Sequence, residues 1–321
     1  MRSDQMLSVI MPVTRQVKAD SLCRYVETVL EEISRITDIY EIILVTDRGE
    51  LAYEEAVLSL LEQNAGIRIL FLSRARYIDE MIMAGFSSCI GDQVVIFTPP
   101  LDPPSLLPHL LERIRKGTIV VGVRKTVASE RIHYRLLRPA FYFLTNTMLD
   151  LHLPKDTTYL SGYPRHAAAQ ISQSSDRARF LKVITSQIGW PIEYIEYEFQ
   201  KGVDPGYRSL RESLRLSVQL ICSLTVKPLI WCGIFTGIST LAALAALLAR
   251  LLIPRVPEYI ELITIGTWLA SIGISFSLLL LYSSYYLWSM TRSPVLFVRN
   301  ELCSASMLPQ SIKPNIVDKT V

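Results

Sequence analysis

Two long apolar runs in the second half of the chain limit its possible folds most strongly. No residue is charged from Leu229 to Leu248, and none is charged from Leu262 to Thr291. Each run reaches the roughly 20 residues that a helix needs to cross a hydrocarbon core about 30 Å thick. The whole chain is 50% hydrophobic and only 20% charged, which is too apolar for an ordinary soluble protein. The pattern predicts two transmembrane helices, over 229–251 and 262–288.

The charges around these runs predict how the helices cross the membrane. The loop between them balances two arginines against two glutamates, whereas the flanks outside them carry an excess of basic residues. Because basic residues concentrate in cytoplasmic segments, both termini are expected in the cytoplasm. Residues 1–4 lack the start of a secretory signal peptide, so the first domain is expected in the cytosol as well. The flanking basic residues are Arg208, Arg211, Arg215, Lys227, Arg292 and Arg299.

The first 123 residues alternate short runs rich in Val, Ile and Leu with longer helical patterns. Strands that are apolar on both faces are typical of a parallel sheet covered by helices on both sides. The alternation predicts an α/β fold built from βαβ units, whose ligands bind beyond the carboxyl ends of the strands. The predicted strands are 7–11, 41–45, 67–72, 93–97 and 118–123, and the predicted helices are 21–36, 51–63, 78–89 and 105–116, with Asp20 as the N-cap of the first helix.

A basic and amphipathic segment precedes the first apolar run. Arg208 and Arg211 recur at helical spacing beside Leu210 and Leu214, which predicts a helix lying in the membrane interface over 205–228. The alternative is an ordinary surface helix with a solvated charged face. The predicted organisation is a globular domain over 1–204, the juxtamembrane helix over 205–228, the two transmembrane helices within 229–290, and a cytoplasmic tail over 291–321.

The order of several short motifs resembles that of a known family. The motifs are SVIMPV at 8–13, EIILVTDRGE at 41–50, LSRARYIDEMIMAGF at 72–86, GDQVVIFTPPLDPPSLLPHLL at 91–111 and SPVLFVRN at 293–300. With the two apolar runs between the last two motifs, the chain resembles glycosyltransferase family 2. In particular, it resembles the membrane-anchored polyprenyl-phosphate glycosyltransferases related to dolichyl-phosphate mannosyltransferase.

The resemblance implies a GT-A fold, a nucleotide-sugar donor and a polyprenyl-phosphate acceptor, at a bacterial inner membrane. By position in the motifs, Pro12 and Asp47 would border the base and ribose of the nucleotide, and Ser73 and Arg74 would lie near the donor. Three basic residues are assigned to the acceptor phosphate or the sugar: Arg124, Arg131 and Lys201.

The resemblance is weaker at positions that would carry the chemistry. The family holds Mg²⁺ or Mn²⁺ with an Asp-x-Asp turn, where this chain has Thr98-Pro99-Pro100. Hard divalent cations need oxygen ligands, so Asp102 is the only candidate for a metal-binding or catalytic carboxylate near this turn. Its alternative role is to stabilise the turn that opens the next helix. Asp156 is a candidate general base, and its alternative is a solvated loop residue. The sequence therefore leaves the cofactor open.

Three functions remain compatible with the sequence. The first is an active transferase that moves a sugar from a nucleotide donor to polyprenyl phosphate at the cytoplasmic face. Such an enzyme could neutralise the diphosphate with basic side chains instead of a metal, and the candidates are Arg48, Arg74, Arg76 and Arg124. The alternative for each of them is an ordinary surface arginine. The second is a non-catalytic relative that acts as a scaffold or regulatory subunit. The third is a transporter component, which the absence of ionisable residues in the centres of the two runs disfavours. The net charge of +3 gives no indication of nucleic-acid binding, and the Gly233-xxx-Gly237 spacing is compatible with a homo-oligomer.

Overall fold

A computed structural model of the chain describes residues 5–73, 77–125, 156–173, 180–200, 226–252, 258–291 and 298–304. The chain divides into two units. The first comprises residues 1–130, 152–206 and 295–321, and the second comprises residues 131–151 and 207–294. Of the predicted juxtamembrane helix over 205–228, residues 205–225 lie outside the described residues.

One mixed sheet of eight strands forms the centre of the first unit. Its order is β7-β5-β6-β4-β1-β2-β3-β8. The four strands β4, β1, β2 and β3 are parallel neighbours, β5 and β7 are also parallel, and β6 and β8 run antiparallel to their neighbours. The strands are β1 (Leu7–Pro12), β2 (Tyr40–Thr46), β3 (Ile67–Leu72), β4 (Gln93–Ile96), β5 (Ile119–Arg124), β6 (Thr157–Pro164), β7 (Ile192–Tyr197) and β8 (Val298–Cys303).

Helices cover both faces of this sheet. Successive side chains along a strand point to opposite faces, so they are buried against different helices. Val9 packs in a core cluster with α1, α2 and α4, and its neighbour Ile10 packs in a second cluster with α3, α5 and α6. A Cβ on Gly85 of α3 would lie 2.5 Å from Ile10, so glycine allows this helix to pack closely on β1. The helices are α1 (Ala19–Ser34), α2 (Glu55–Gln63), α3 (Ile78–Ser88), α4 (Leu107–Ile114), α5 (Arg165–Gln173) and α6 (Leu181–Gln187).

The structure confirms the predicted alternation of strands and helices through β5. Gly66 and Gly117, which precede β3 and β5, have φ values of +81° and +80°, which glycine adopts readily.

The predicted N-cap was wrong, because Lys18 occupies that position and Asp20 lies in the first turn of α1. Strands β6, β7 and β8 were not predicted from the sequence.

Two long helices, α7 (Lys227–Leu252) and α8 (Glu258–Thr291), lie in the second unit. Each contains a 23-residue stretch that is long and apolar enough to cross a membrane, and only 6% of its most apolar window is buried. A core helix of a soluble protein would be mostly buried, so the exposed apolar surface supports the predicted pair of spans. A row of side-chain hydrogen bonds joins the helices in antiparallel order. Hydroxyl groups pair between Thr236 and Ser275 at 2.6 Å and between Ser239 and Ser271 at 2.7 Å, and the indole N–H of Trp268 donates to the hydroxyl of Thr240 at 2.9 Å.

Candidate functional site

The candidate site lies at the edge of the sheet where the parallel strands of the first unit end. Pro12 ends β1, Asp47 follows β2 and Ser73 follows β3. Arg124 ends β5, and Asp156 precedes the antiparallel strand β6, which starts at this same edge. The sheet therefore places five of the predicted site residues at its carboxyl edge, where ligands of open α/β sheets bind. The predicted residues Arg74, Arg131 and Lys201 lie outside the described residues.

Asp47 carries an unusual carboxylate. One of its oxygens accepts a hydrogen bond from the exposed guanidinium of Arg15 at 2.9 Å. The other, Oδ1, is buried and has no hydrogen-bond partner among the residues that the structure describes. A buried polar atom without a partner is costly, so an orphaned acceptor in a native fold calls for a ligand donor or an ordered water.

The neighbouring Thr46 has a structural role. The resemblance places a second family aspartate at this position. Here the Thr46 hydroxyl is fully buried, donates to the carbonyl of Val13 at 3.2 Å, and accepts from the backbone N–H of Arg48 at 3.1 Å. These two bonds join the ends of β1 and β2 and fix the turn that carries Asp47.

Arg48 is held by the protein itself. Its guanidinium donates to the carbonyl of Val17 at 2.6 Å and pairs with Glu50 at 3.3 Å and with Glu54 at 3.5 Å. Only 14% of the side chain is exposed. These contacts argue against the hypothesis that Arg48 binds a diphosphate, because a ligand would have to displace two carboxylates and a carbonyl group.

The turn between β4 and α4 encloses Asp102. Its Oδ2 accepts the backbone N–H of Thr98 at 2.7 Å, and its Oδ1 accepts the hydroxyl of Tyr197. The hydroxyl of Tyr25, on α1, donates to the backbone carbonyl of Asp102 at 2.6 Å. With 1% of the residue exposed, Asp102 stabilises this turn from inside the fold.

Burial raises the pKa of Asp102 to about 6, although the hydrogen bonds from Tyr197 and Thr98 act in the opposite direction. A buried carboxyl group with both oxygens engaged is a poor ligand for a hard cation. The geometry therefore favours the structural alternative for Asp102 over the metal-binding and catalytic roles considered from the sequence.

The donor set at this edge does not suit a divalent metal. The turn at Thr98-Pro99-Pro100 has no carboxylate, and the Asp102 carboxyl group is buried behind it. Among the residues that the structure describes, no three histidine, cysteine, aspartate or glutamate side chains form a group that could hold a metal ion. Hard cations require several oxygen ligands, so the described residues do not fit the metal that the family resemblance implies.

Arg124, the last residue of β5, and Asp156, in the turn before β6, are hydrogen-bonded neighbours. The backbone N–H of Arg124 donates to the carbonyl of Asp156 at 3.0 Å. Asp156 has a φ of +67°, which marks the turn into β6. The guanidinium carbon of Arg124 lies 5.4 Å from the ring centre of Phe199, within the range of a cation–π contact.

Sequence reasoning missed the aromatic residues that organise this edge. Besides its bond to Asp102, the Tyr197 hydroxyl lies 2.9 Å from the hydroxyl of Thr158. Tyr197 and Phe199 stand in the sequence IEYIEYEF, whose isoleucine and aromatic residues favour a strand, but their partners are distant in sequence.

The sequence has recognisable relatives. An undecaprenyl-phosphate 4-deoxy-4-formamido-L-arabinose transferase of Serratia proteamaculans is 28% identical over 264 residues, 79% of this chain and 78% of that protein. An uncharacterized glycosyltransferase of Synechocystis is 25% identical over 194 residues, and the match spans 60% of each chain. Glucosyl-3-phosphoglycerate synthase from Mycobacterium tuberculosis, solved with Mn²⁺, uridine diphosphate and phosphoglyceric acid, is 16% identical with a TM-score of 0.47, over 69% of this chain and 78% of that one.

The family of this chain is shown by a match over residues 8–172. Residues 8–172, just over half of the chain, match the pattern of glycosyl transferase family 2. The matched region contains β1 to β6, and therefore the mostly parallel sheet that the GT-A resemblance predicts. The chain belongs to glycosyl transferase family 2.

Proposed function

We propose that this protein is a membrane-bound glycosyltransferase that moves a sugar from a nucleotide-sugar donor to a polyprenyl phosphate at the cytoplasmic face of a bacterial inner membrane. The observation that carries the donor site is the buried, unpartnered Oδ1 of Asp47 at the carboxyl edge of β2. An N–H or O–H group of a bound nucleotide would supply the hydrogen bond that the protein leaves unmade. Pro12 and Ser73, which end or follow neighbouring strands, would border the same ligand.

The path of the chain supports the proposed membrane topology. The strand β8 follows α8 in sequence, yet it pairs with β3 in the sheet of the first unit. Strands of the first unit thus precede α7 and follow α8 in the chain, which supports a hairpin whose two ends lie on one side of the membrane. Two spans are compatible with this arrangement, and the basic flanks favour the cytoplasm as that side. We infer the same domain order as the sequence predicts, with β8 as an addition to the first domain.

The chemistry of the acceptor reduces what the protein must supply. An oxygen of the acceptor phosphate would attack the anomeric carbon of the sugar, and the bond from that carbon to the nucleotide diphosphate would break. A phosphate is already ionised at neutral pH, so a general base is less necessary than for an alcohol. Because the described residues do not fit a metal, basic side chains such as Arg124 would balance the charges. The Serratia relative is named an undecaprenyl-phosphate 4-deoxy-4-formamido-L-arabinose transferase, and this name supports the proposed acceptor class.

Calorimetry on the full-length protein in detergent tests the donor site. We expect uridine or guanosine diphosphate to bind with an affinity that Mg²⁺ and Mn²⁺ do not change. Asp47→Asn should weaken this binding about tenfold to a hundredfold, since hydrogen bonds to charged groups contribute about 1.5–3 kcal/mol. Glu112→Gln is the matched control, because it removes a carboxylate that is 68% exposed on α4, and it should bind as the wild type does.

Two results would overturn this assignment. Binding that Asp47→Asn leaves unchanged would remove Asp47 from the donor site. If neither diphosphate binds, with or without metal, the donor site is excluded altogether.

The second candidate function, a non-catalytic scaffold, is favoured by the engaged carboxyl group of Asp102 and by the turn without carboxylates. Nucleotide binding without sugar transfer to any prenyl phosphate would support that candidate.

A further inference from the structure

A series of three hydrogen bonds crosses β7, β5 and β6 at the carboxyl edge of the sheet. The hydroxyl of Tyr197, the last residue of β7, bonds to Oδ1 of Asp102 and also lies 2.9 Å from the hydroxyl of Thr158 in β6. The Thr158 hydroxyl lies 3.1 Å from the carbonyl oxygen of Gly122 in β5. The series Asp102–Tyr197–Thr158–Gly122 therefore connects the turn before α4 to three strands.

Gly122 makes room for this series because it has no side chain. A Cβ at this position would lie 2.7 Å from the ring of Tyr197 and 2.9 Å from the hydroxyl oxygen of Thr158. Both distances are shorter than the contacts that Cβ atoms make in proteins, so any other residue would displace one of the two side chains. The glycine thus allows Tyr197 and Thr158 to meet across β5.

The three contacts of the series need one more proton than its hydroxyl groups carry. Each contact joins two oxygen atoms and requires one proton, but Tyr197 and Thr158 supply only two, and a carbonyl group supplies none. A third proton on Asp102 completes the series, with Asp102 donating to Tyr197, Tyr197 to Thr158, and Thr158 to the carbonyl group of Gly122. Because Oδ2 of Asp102 already accepts the backbone N–H of Thr98 at 2.7 Å, this proton belongs on Oδ1.

The surroundings of Asp102 favour the same protonation state. The residue is 1% exposed, and burial raises the pKa of its carboxyl group to about 6, since the hydrogen bonds from Tyr197 and Thr98 offset only part of this effect. The titratable side chains that face it are Tyr25 from α1 and Tyr197 from β7, and within the described part of the chain no charged side chain does. Burial and the charge of Asp102 raise the pKa of both tyrosines, so both keep their protons where Asp102 titrates.

We propose that this series is a proton-sensitive latch, which Asp102 closes by taking up a proton. In the closed form, three hydrogen bonds fasten the turn before α4 to β7, β6 and β5. When Asp102 ionises, two protons remain for three contacts, so one hydrogen bond is lost and a charge stays in a buried site. The latch is therefore closed in mildly acidic solution and loosened above neutral pH. This inference goes beyond the proposed function and does not depend on the donor or the acceptor.

The test removes the hydroxyl group of Thr158 from the full-length protein in detergent. Thr158→Val keeps a β-branched side chain, and urea titration measures the equilibrium constant of unfolding. In acid, the wild-type hydroxyl both accepts from Tyr197 and donates to Gly122, whereas above neutral pH Tyr197 donates to Asp102 instead. Thr158→Val should therefore raise the unfolding constant about twofold to tenfold more at about pH 5 than at about pH 8, the effect of one neutral hydrogen bond.

Ser161→Ala is the matched control, because Ser161 is also in β6 and its hydroxyl donates to the carbonyl of Tyr159 at 2.9 Å, outside the series. Its effect should be the same at both pH values. In the Asp102→Asn background, where the amide group donates to Tyr197 at every pH, the effect of Thr158→Val should also be independent of pH. An effect of Thr158→Val in the wild-type background that is equal at both pH values, or larger at the higher one, would overturn the latch.

Hydrogen exchange tests the latch even if Thr158→Val fails to fold. Mass spectrometry follows the backbone N–H groups of residues 98–102 in the wild type and in Asp102→Asn, compared at the same pH. The wild-type turn should exchange faster than that of Asp102→Asn at about pH 8 and at the same rate at about pH 5. Equal rates at the higher pH, or a difference already present at the lower one, would overturn the inference, because the ionisation of Asp102 would then leave the turn as it was.

Discussion

Two arginine–carboxylate pairs occupy opposite edges of the same sheet. At the amino edge, Arg68 and Glu41 approach to 2.9 Å, and at the carboxyl edge Arg15 and Asp47 also approach to 2.9 Å. Their surroundings differ. The side chains of Arg68 and Glu41 are 17% and 0% exposed, whereas Arg15 is 77% exposed and Asp47 is 6% exposed.

The protein satisfies the amino-edge pair completely. The carboxylate of Glu41 accepts the hydroxyl of Ser8 at 2.5 Å and the backbone N–H of Ile90 at 2.7 Å, in addition to Arg68. Arg68 also pairs with Glu301 of β8 at 2.7 Å. This network joins β1, β2, β3 and β8, the last of which is far away in sequence.

The carboxyl-edge pair is incomplete by comparison. One oxygen of Asp47 is buried and finds no partner in the described part of the chain, and the guanidinium of Arg15 is 77% exposed. A closed network stabilises a fold, whereas an open one leaves hydrogen-bonding capacity for a ligand. The same type of ion pair therefore serves structure at one edge and, under the proposed function, binding at the other.

Breaking the closed network around Arg68 and Glu41 should lower the free energy of unfolding more than the other substitutions do. Arg68→Met keeps an apolar stem but leaves Glu41 as a buried charge without its cation. Breaking a buried ion pair from one side costs about 3–5 kcal/mol, so we expect the free energy of unfolding to fall by that amount. Urea titration of the full-length protein in detergent measures the change.

Glu301→Gln is the matched control for Arg68→Met. The side chain of Glu301 is 37% exposed, and its replacement leaves the Arg68–Glu41 pair in place. Its cost should stay below about 1 kcal/mol, as for other partly exposed pairs. Similar losses in the two variants would show that the pairing of β8, rather than the buried charge of Glu41, determines the stability of this edge.

The next largest change in the free energy of unfolding should come from Asp102, and this change depends on pH. Its folded pKa of about 6 lies above its ordinary value of 3.8, so the folded state binds the proton more tightly than the unfolded state does. The stabilisation is complete below about pH 4 and is lost as the pH rises through about 6. At about 1.4 kcal/mol per pKa unit, the loss is about 3 kcal/mol.

Asp102→Asn removes this dependence without removing the hydrogen bonds. The amide oxygen can accept the N–H of Thr98, and the amide nitrogen can donate to Tyr197, whose own proton then goes to Thr158. The difference in unfolding free energy between the wild type and Asp102→Asn, measured by urea titration across this pH range, should therefore change by about 3 kcal/mol. A constant difference would contradict the raised pKa of Asp102.

The sequence revealed the five strands β1 to β5 and missed the interior strand β6 and both edge strands, β7 and β8. Strands β1 to β5 are rich in apolar residues on both faces because helices cover both faces, and such runs stand out. Strand β8 reads VRNELC, and its first four residues are exposed. An edge strand of this kind has no hydrophobic period, so only its partner β3 and the contact between Arg68 and Glu301 identify it.

The candidate site was predictable in position but not in detail. Family motifs and strand ends located Pro12, Asp47, Ser73 and Arg124 at one edge of the sheet. They could not show that Asp102 is enclosed, because Tyr197 lies 95 residues away in sequence. Nor could they show that Phe199 faces Arg124. Hydrogen bonds and ring contacts between distant segments leave no periodic signal in a single sequence.

Breaking the Arg15–Asp47 pair at the carboxyl edge should change the free energy of unfolding the least. Arg15→Ala removes a guanidinium that is 77% exposed, and exposed ion pairs contribute at most about 1 kcal/mol. The free energy of unfolding should fall by less than that, and the difference should shrink at high salt, which screens exposed charges. Urea titrations of Arg15→Ala and the wild type at low and at high salt measure both effects. Since the two pairs share one N–O distance, a loss as large as that of Arg68→Met would mean that burial does not separate them, and that Arg15 belongs to a closed network of its own.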